Sequence, residues 1–469
     1  MKLMKLLCLL LALVAVLPVF ASCKNEEPKP AGDTDPSGDT TIIADVPKRN
    51  YNTVFTIKDQ QNLYYWSEDY EASASIDIAN YERELAIEEH LGIEIYHESF
   101  ANIDEIAGDI QQMILAGLDE YQLALTHCYA GLGPLMMQKH LMDLSEVPGI
   151  SLNEEYYNNS IMESVKFQGH MYLGSSSFII HRPNYIVFNK SMADAYTGIG
   201  TATLYEHVRN QTWTMEQMQN YAKMVDISLN DTLTDPRDGT YGMALHKDWE
   251  LCSFVTASGY FHGWVDSDGA LQLRGFSEDL FDIFKEVVEM TDANYSWTWG
   301  YQQDDKKLLP SSGRVLFSIV SQDVMINEMF NSEVKLGVLP VPTMEEGMTT
   351  QNLDWAGYFV VPASVKDQQM SGEVIELLSY YGETKIKHEF YDVLLGLRAS
   401  EAPEDQEMLD LIFDNLAVDP IIPVVNLGDP VAEIFYCVPW MISKGDKALR
   451  SWYQKWHGSA CELLKEVNK

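Results

Sequence analysis

Rings and polar side chains stand together just past, or just before, several short apolar runs that read as strands. His127 and Tyr129 follow Gln122–Leu125, and Asp248 and Trp249 follow the strand that opens at Tyr241-Gly242. Ser321, Gln322 and Asp323 follow Val315–Val320. Arg182 sits just ahead of Tyr185–Phe188, and Asp354 with Trp355 just ahead of Tyr358–Val361. Trp66, in the cluster Tyr64-Tyr65-Trp66, lies near the first strand. Ligands of parallel α/β sheets lie beyond the carboxyl ends of the strands, so these positions can reach one. A flat ring covers apolar C–H surface, while carboxylates, amides and a guanidinium make directed bonds to hydroxyls. Together they could hold a small molecule that presents both apolar and polar surface, although core packing is the default role of such rings.

Motifs for turnover are missing. No G-x-S-x-G, H-E-x-x-H or G-x-x-x-x-G-K-[ST] string occurs, which removes support for serine hydrolases, zincins and P-loop enzymes. A glycosidase needs two carboxylates flanking the bond, and none of the 70 acidic residues stands in a recognisable pair. Asp231, Asp235 and Asp238 suggest a calcium loop over 228–239, but Thr234 and Pro236 occupy positions where ligands are needed. No cofactor and no metal is expected.

The elements that would position these side chains alternate. Val54–Ile57 reads as a strand, and Ile78, Tyr81 and Leu85 form a helical stripe ending at Gly92. Ile93–Tyr96 is a strand, Ile103 to Ile114 a helix ending near Gly117, and Gln122–Leu125 a strand again. Further on come a strand at Tyr185–Phe188, a capped helix from Thr214 with Gln217, and a hairpin around Asp268-Gly269. A helix over Leu280–Val288, strands at 335–339 and 358–361 and a helix over Val374–Tyr381 follow. Trp297 and Trp299 read as packing residues of a loop, Trp213 as a staple, and Trp440, Trp452 and Trp456 as parts of C-terminal helices. The class is α/β.

Composition sets the compartment. With 46% hydrophobic and 22% charged residues the chain is globular rather than disordered. Its net charge of -38 repels phosphate backbones, so no nucleic-acid partner is expected. Lys2 and Lys5 precede the apolar run Leu6–Phe20, too short to span a bilayer, and Ala21-Ser22-Cys23 follows. Small residues before a cysteine resemble the lipobox of bacterial lipoproteins, in which the cysteine is lipidated. Residues 1–22 are then a signal peptide, and 23–45, rich in Pro, Gly, Asp and Thr, a flexible tether. Cys128, Cys252, Cys437 and Cys461 remain, with no zinc-type spacing and no readable pairing.

The order of several segments resembles extracellular solute-binding protein family 1, the sugar-type binding lipoproteins of bacterial ABC importers. The strings are Tyr185–Lys190, His207–Thr214, Gly239–Gly242, Gly337–Pro342, Trp355–Tyr358 and Val361–Ser364. The resemblance implies a two-lobe periplasmic-binding-protein-like fold with a crossover hinge and a ligand cleft between lobes. Lobe 1 would take residues 46–181 with a later segment of about 345–395, and lobe 2 residues 182–344 with helices of about 396–469. It puts Arg182 on one crossover and Trp355 beside another, and makes Trp249 a stacking aromatic. The implied protein is no enzyme: it captures a saccharide, delivers it to importer transmembrane subunits, and touches the membrane through its lipid anchor alone, on the extracellular face. A secreted carbohydrate-active enzyme and a non-catalytic surface adhesion lipoprotein are the competing readings.

Overall fold

Runs of β-branched and aromatic residues set the strands, because such side chains pack well on a pleated surface. The computed structural model describes residues 41–60, 74–196, 200–300, 303, 307–387, 389–390 and 403–468. Cys23 and Trp66 lie outside them. Among the described residues, the strands of the two larger sheets are β1 (Thr53–Asp59), β2 (Ile93–Ser99), β3 (Leu123–Thr126), β4 (Asn184–Asn189), β5 (Tyr241–His246), β6 (Ser296–Trp299), β7 (Val315–Ser321), β8 (Leu336–Leu339) and β9 (Tyr358–Val360).

The first sheet has the order β2-β1-β3-β9 and the second β6-β5-β7-β4-β8. In the first, β1 runs parallel to β2 and β3, and β9 runs against β3. In the second, β5 is parallel to β6 and β7, while β4 runs against both β7 and β8. Each sheet thus holds one reversed strand, and it is the strand entered directly after the chain crosses from the other sheet. A reversed strand begins where its parallel neighbours end. The starts of β4 and β9 therefore sit at the carboxyl ends of the sheets, and the two crossing segments meet there, Pro183 bridging Asp354.

The helices flanking the sheets match the apolar spacing, with one correction of face. The helix Ala74–Leu91 ends at Gly92 in a left-handed conformation (φ 61°), as expected. Its stripe Ile78, Tyr81 and Leu85 nevertheless faces outward, Tyr81 being 67% exposed, and Ala79, Arg83, Ile87, His90 and Leu91 are buried instead. Polar contacts select that face: His90 Nε2 bonds the Val46 carbonyl, and the buried Arg83 pairs with Glu84. Thr214 caps Met215–Ala222 by accepting from the Gln217 amide, and Trp213 packs on Phe317 with its indole donating to the Pro340 carbonyl. Trp297 and Trp299 belong to β6 rather than a loop; Trp299 stacks on His246 and Trp297 tilts over Tyr241.

The C-terminal segment is tied to the second sheet by a buried carboxylate. Asp405, on the helix Pro403–Asp414, accepts from Lys190, the Tyr205 hydroxyl and the Val338 amide. Trp440 falls on the helix Cys437–Lys444, and Trp452 and Trp456 on Leu449–Val467. Cys128, Cys252, Cys437 and Cys461 are free thiols. Among the described residues, no helix is long and apolar enough to cross a membrane.

Candidate functional site

The crossing segments are locked by one carboxylate. Asp354 is 1% exposed, and its Oδ1 accepts from the amides of Arg182 (2.7 Å) and Ala356 (3.0 Å) while Oδ2 meets His181 Nδ1 at 2.7 Å. The Trp355 amide returns a bond to the Arg182 carbonyl. A buried carboxylate bonded three times is held rigid, so Asp354 fastens the crossing segments together rather than offering itself to a ligand. That fastening places Arg182 on one strand's approach and Trp355 on the other's, side by side.

Arg182 reaches across to Asp323 in the first turn of the helix Gln322–Asn331, Nη1 to Oδ2 at 3.4 Å. Gln322, expected beside it, turns inward: it is 2% exposed and its Oε1 accepts from the Tyr185 hydroxyl. Ser321 begins the same turn and is partly exposed. On the first sheet, His127 and Tyr129 follow β3 with rings 4.1 Å apart, edge to face. His127 Nδ1 accepts from the Tyr129 amide, which fixes the neutral tautomer. Burial, and then the Arg182 charge, lower the His127 pKa to about 3. The buried Cys128 thiol between them is pushed up, chiefly by burial and then by the Asp354 charge.

The rings of Trp249 and Trp355 meet edge to face at 5.3 Å, one from the loop after β5 and one from the crossing before β9. Trp249 is partly exposed; Trp355 is 6% exposed, and its indole N–H is buried without an acceptor among the described residues. A buried donor without a partner is uncommon and marks a place where a ligand oxygen would be favourable. Asp248 accepts from the Trp249 amide, and burial raises its pKa.

Phe435, Tyr436 and Trp440 extend this aromatic set, and sequence reasoning assigned no ligand role to that segment. Phe435 packs on Trp355, Tyr436 on Phe435, and Trp440 stacks on Tyr436 at 5.2 Å. The Tyr436 hydroxyl is pushed well above its usual range, first by burial and then by the nearby Cys252, Cys128, Tyr129 and Asp248. Asn426 donates to the Tyr129 carbonyl from the same region. The only sequence signal was the density of rings over 435–440.

In the 228–239 loop the Asp235 carboxylate is engaged by Arg237 and lowered to about 2 by that bond. No group of metal-ligating side chains occurs among the described residues. Convergence of side chains at the strand ends, rather than cavity size, singles out this site. A hollow of 740 Å³ reaches the crossings only at His181 and extends to Phe413, and one of 730 Å³ lies beside Tyr260 and Asp282.

The fold, two sheets that each carry one reversed strand entered from the other, is shared with solved ABC-transporter solute-binding proteins. The GacH receptor of Streptomyces glaucescens GLA.O, solved unliganded and in complex with acarbose, is similar at a TM-score of 0.59 and 14% identity, over 89% of this chain and 99% of that one. The ABC substrate-binding protein Lmo0181 from Listeria monocytogenes, in complex with cycloalternan, is similar at 0.57 and 13%, over 88% and 99%. An ABC transporter solute-binding protein from Thermotoga lettingae TMO, bound with alpha-D-tagatose, is similar at 0.55 and 14%, over 88% and 100%. At these identities the likeness is one of fold. No family model and no curated protein matches the chain.

Proposed function

We propose that the chain is an extracellular solute-binding lipoprotein, anchored through Cys23, that captures an oligosaccharide at the crossings and delivers it to the membrane subunits of an ABC importer. The observation that carries this reading is the Trp249–Trp355 pair with its unpartnered indole donor, set beside Arg182 and Asp323. The ring faces suit the C–H surface of a pyranose, and the guanidinium and carboxylate suit its hydroxyls. The ligands in the three similar structures are all saccharides or saccharide analogues, which favours the same cargo here. An acidic surface with net charge -38 disfavours phosphorylated or polyanionic solutes.

The mechanism is capture without chemistry. Asp354 is committed to the hinge and Asp323 to Arg182, so neither carboxylate is poised for proton transfer. A ligand that touches side chains carried by both sheets stabilises the closed arrangement by its differential affinity for it.

A thermal-shift panel of mono- and oligosaccharides, amino acids and polyamines tests the reading on residues 42–469. A ligand at ~100 times its Kd adds about 2.7 kcal/mol to the folded state. One saccharide series should raise Tm and be recovered unchanged. Silence from every sugar with a response to amino acids or polyamines would overturn the cargo, and recovery of cleaved sugar would overturn capture without chemistry.

A further inference from the structure

A second group of side chains, remote in sequence from the crossings, has the same chemical make-up. The hairpin Gly263–Val265 with Leu271–Leu273 carries Trp264, the most exposed tryptophan among the described residues at 40%. Trp264 and Arg274 line two hollows at once, one of 730 Å³ and one of 420 Å³. The Arg274 guanidinium lies 5.8 Å from the Trp264 ring and 5.9 Å from the Tyr260 ring. Every other described arginine spends its side chain on an acceptor: Arg49 on Glu373, Arg83 on Glu84, Arg182 on Asp323, Arg209 on Glu407, Arg237 on Asp235, Arg314 on the Arg237 carbonyl and Arg450 on Glu278. Arg274 alone among them holds its donors unspent, although Asp279 and Asp282 line the same hollow and are themselves in no ion pair among the described residues.

The hairpin that presents these groups is rigid. The buried Asp419 accepts from the amides of His262, Gly263 and Ile421, fixing its entry. Asn468 bonds Leu271 through both its carbonyl and its amide, and Asp266 closes the turn through the amides of Asp268 and Ala270. A flat ring with a guanidinium beside it and carboxylates lining the same hollow, on a hairpin already fixed, requires little reordering to bind.

We propose that Trp264, Arg274 and Asp282 form a second saccharide-binding site outside the crossings, taking one or two rings of a neutral saccharide. The indole covers an apolar pyranose face, the guanidinium forks onto adjacent hydroxyls, and the carboxylate accepts from another. Concave hollows of this size suit a small ligand better than a flat protein partner does. The site shares no lining residue with His127, Arg182, Trp249, Asp323 or Trp355. It stands or falls separately from the proposal for them.

The test is a nitrogen-15 correlation spectrum of protein labelled at tryptophan, titrated with maltotetraose and with cellotetraose. Trp264→Phe assigns the Trp264 indole signal. That signal should move and saturate with at least one sugar, and Arg274→Ala should weaken the response about fivefold or more while leaving the midpoints of the Trp249 and Trp355 signals unchanged. A Trp264 signal that stays still with both sugars overturns the proposal. So does one that moves only with the Trp249 signal and stops in Trp249→Ala, since the change would then be transmitted from the crossings. Movement of Trp264 with Trp249 and Trp355 silent would instead refute the reading of the crossings and leave this site standing.

Discussion

His127 makes the site at the strand ends measurable through pH. Its imidazole is held neutral by burial and by Arg182, with a pKa of about 3 in the folded chain against about 6.5 for an unfolded histidine. A base whose pKa is depressed by folding binds fewer protons in the native state than in the unfolded one. Stability is therefore retained above the unfolded pKa and lost as pH falls from there towards the folded one. Between pH 7 and pH 5 this single group should withdraw about 2 kcal/mol from the native state. The control is His127→Asn, whose side-chain oxygen can still accept from the Tyr129 amide at the place of Nδ1. Urea unfolding of both proteins at the two pH values isolates the contribution, because all other titrating groups are common to them. The wild type should lose about 2 kcal/mol more than the variant on acidification. Equal losses would mean that the ring is solvated or already protonated, and the burial of His127 near the Arg182 charge would be wrong.

Two further substitutions probe the frame. Asp354→Ala strands the amides of Arg182 and Ala356 and the ring of His181 in a buried place; a loss of about 3–5 kcal/mol is expected in urea unfolding, with Asp354→Asn recovering most of it. Gly372 lies inside the helix Gln368–Tyr381 because its bare backbone packs against the Pro148 carbonyl, so Gly372→Ala should lower stability by about 1–3 kcal/mol, seen as a lower Tm, despite alanine's better helix propensity.

The alternation of apolar runs and helical stripes made the α/β class legible, and most elements fall within a residue or two of their expected ends. β3 closes at Thr126 rather than Leu125, for example. The failures have physical causes. Ile78, Tyr81 and Leu85 keep helical spacing yet face outward, because the opposite face carries Arg83 and His90 with partners contributed by Glu84 and Val46. Apolar periodicity alone does not weigh such contacts. In the candidate site, strand-end position picked out Trp249 and Trp355, and the two rings do meet. A position at a strand end leaves the direction of the side chain open, however, and Gln322 folds back onto Tyr185 while Asp354 turns into the hinge. Phe435, Tyr436 and Trp440 were out of reach for another reason. They join the site through packing between segments some 80 residues apart, which no local pattern encodes.

The measurement that bears most directly on the central claim is calorimetric titration of the saccharide that raises Tm into wild type and Trp249→Ala. Removing a partly exposed ring should leave the fold intact and weaken binding about tenfold, the worth of one aromatic stacking contact. A titration curve that is the same in both proteins would show that the sugar is held elsewhere, and the assignment of the cleft to Trp249 and Trp355 would fall.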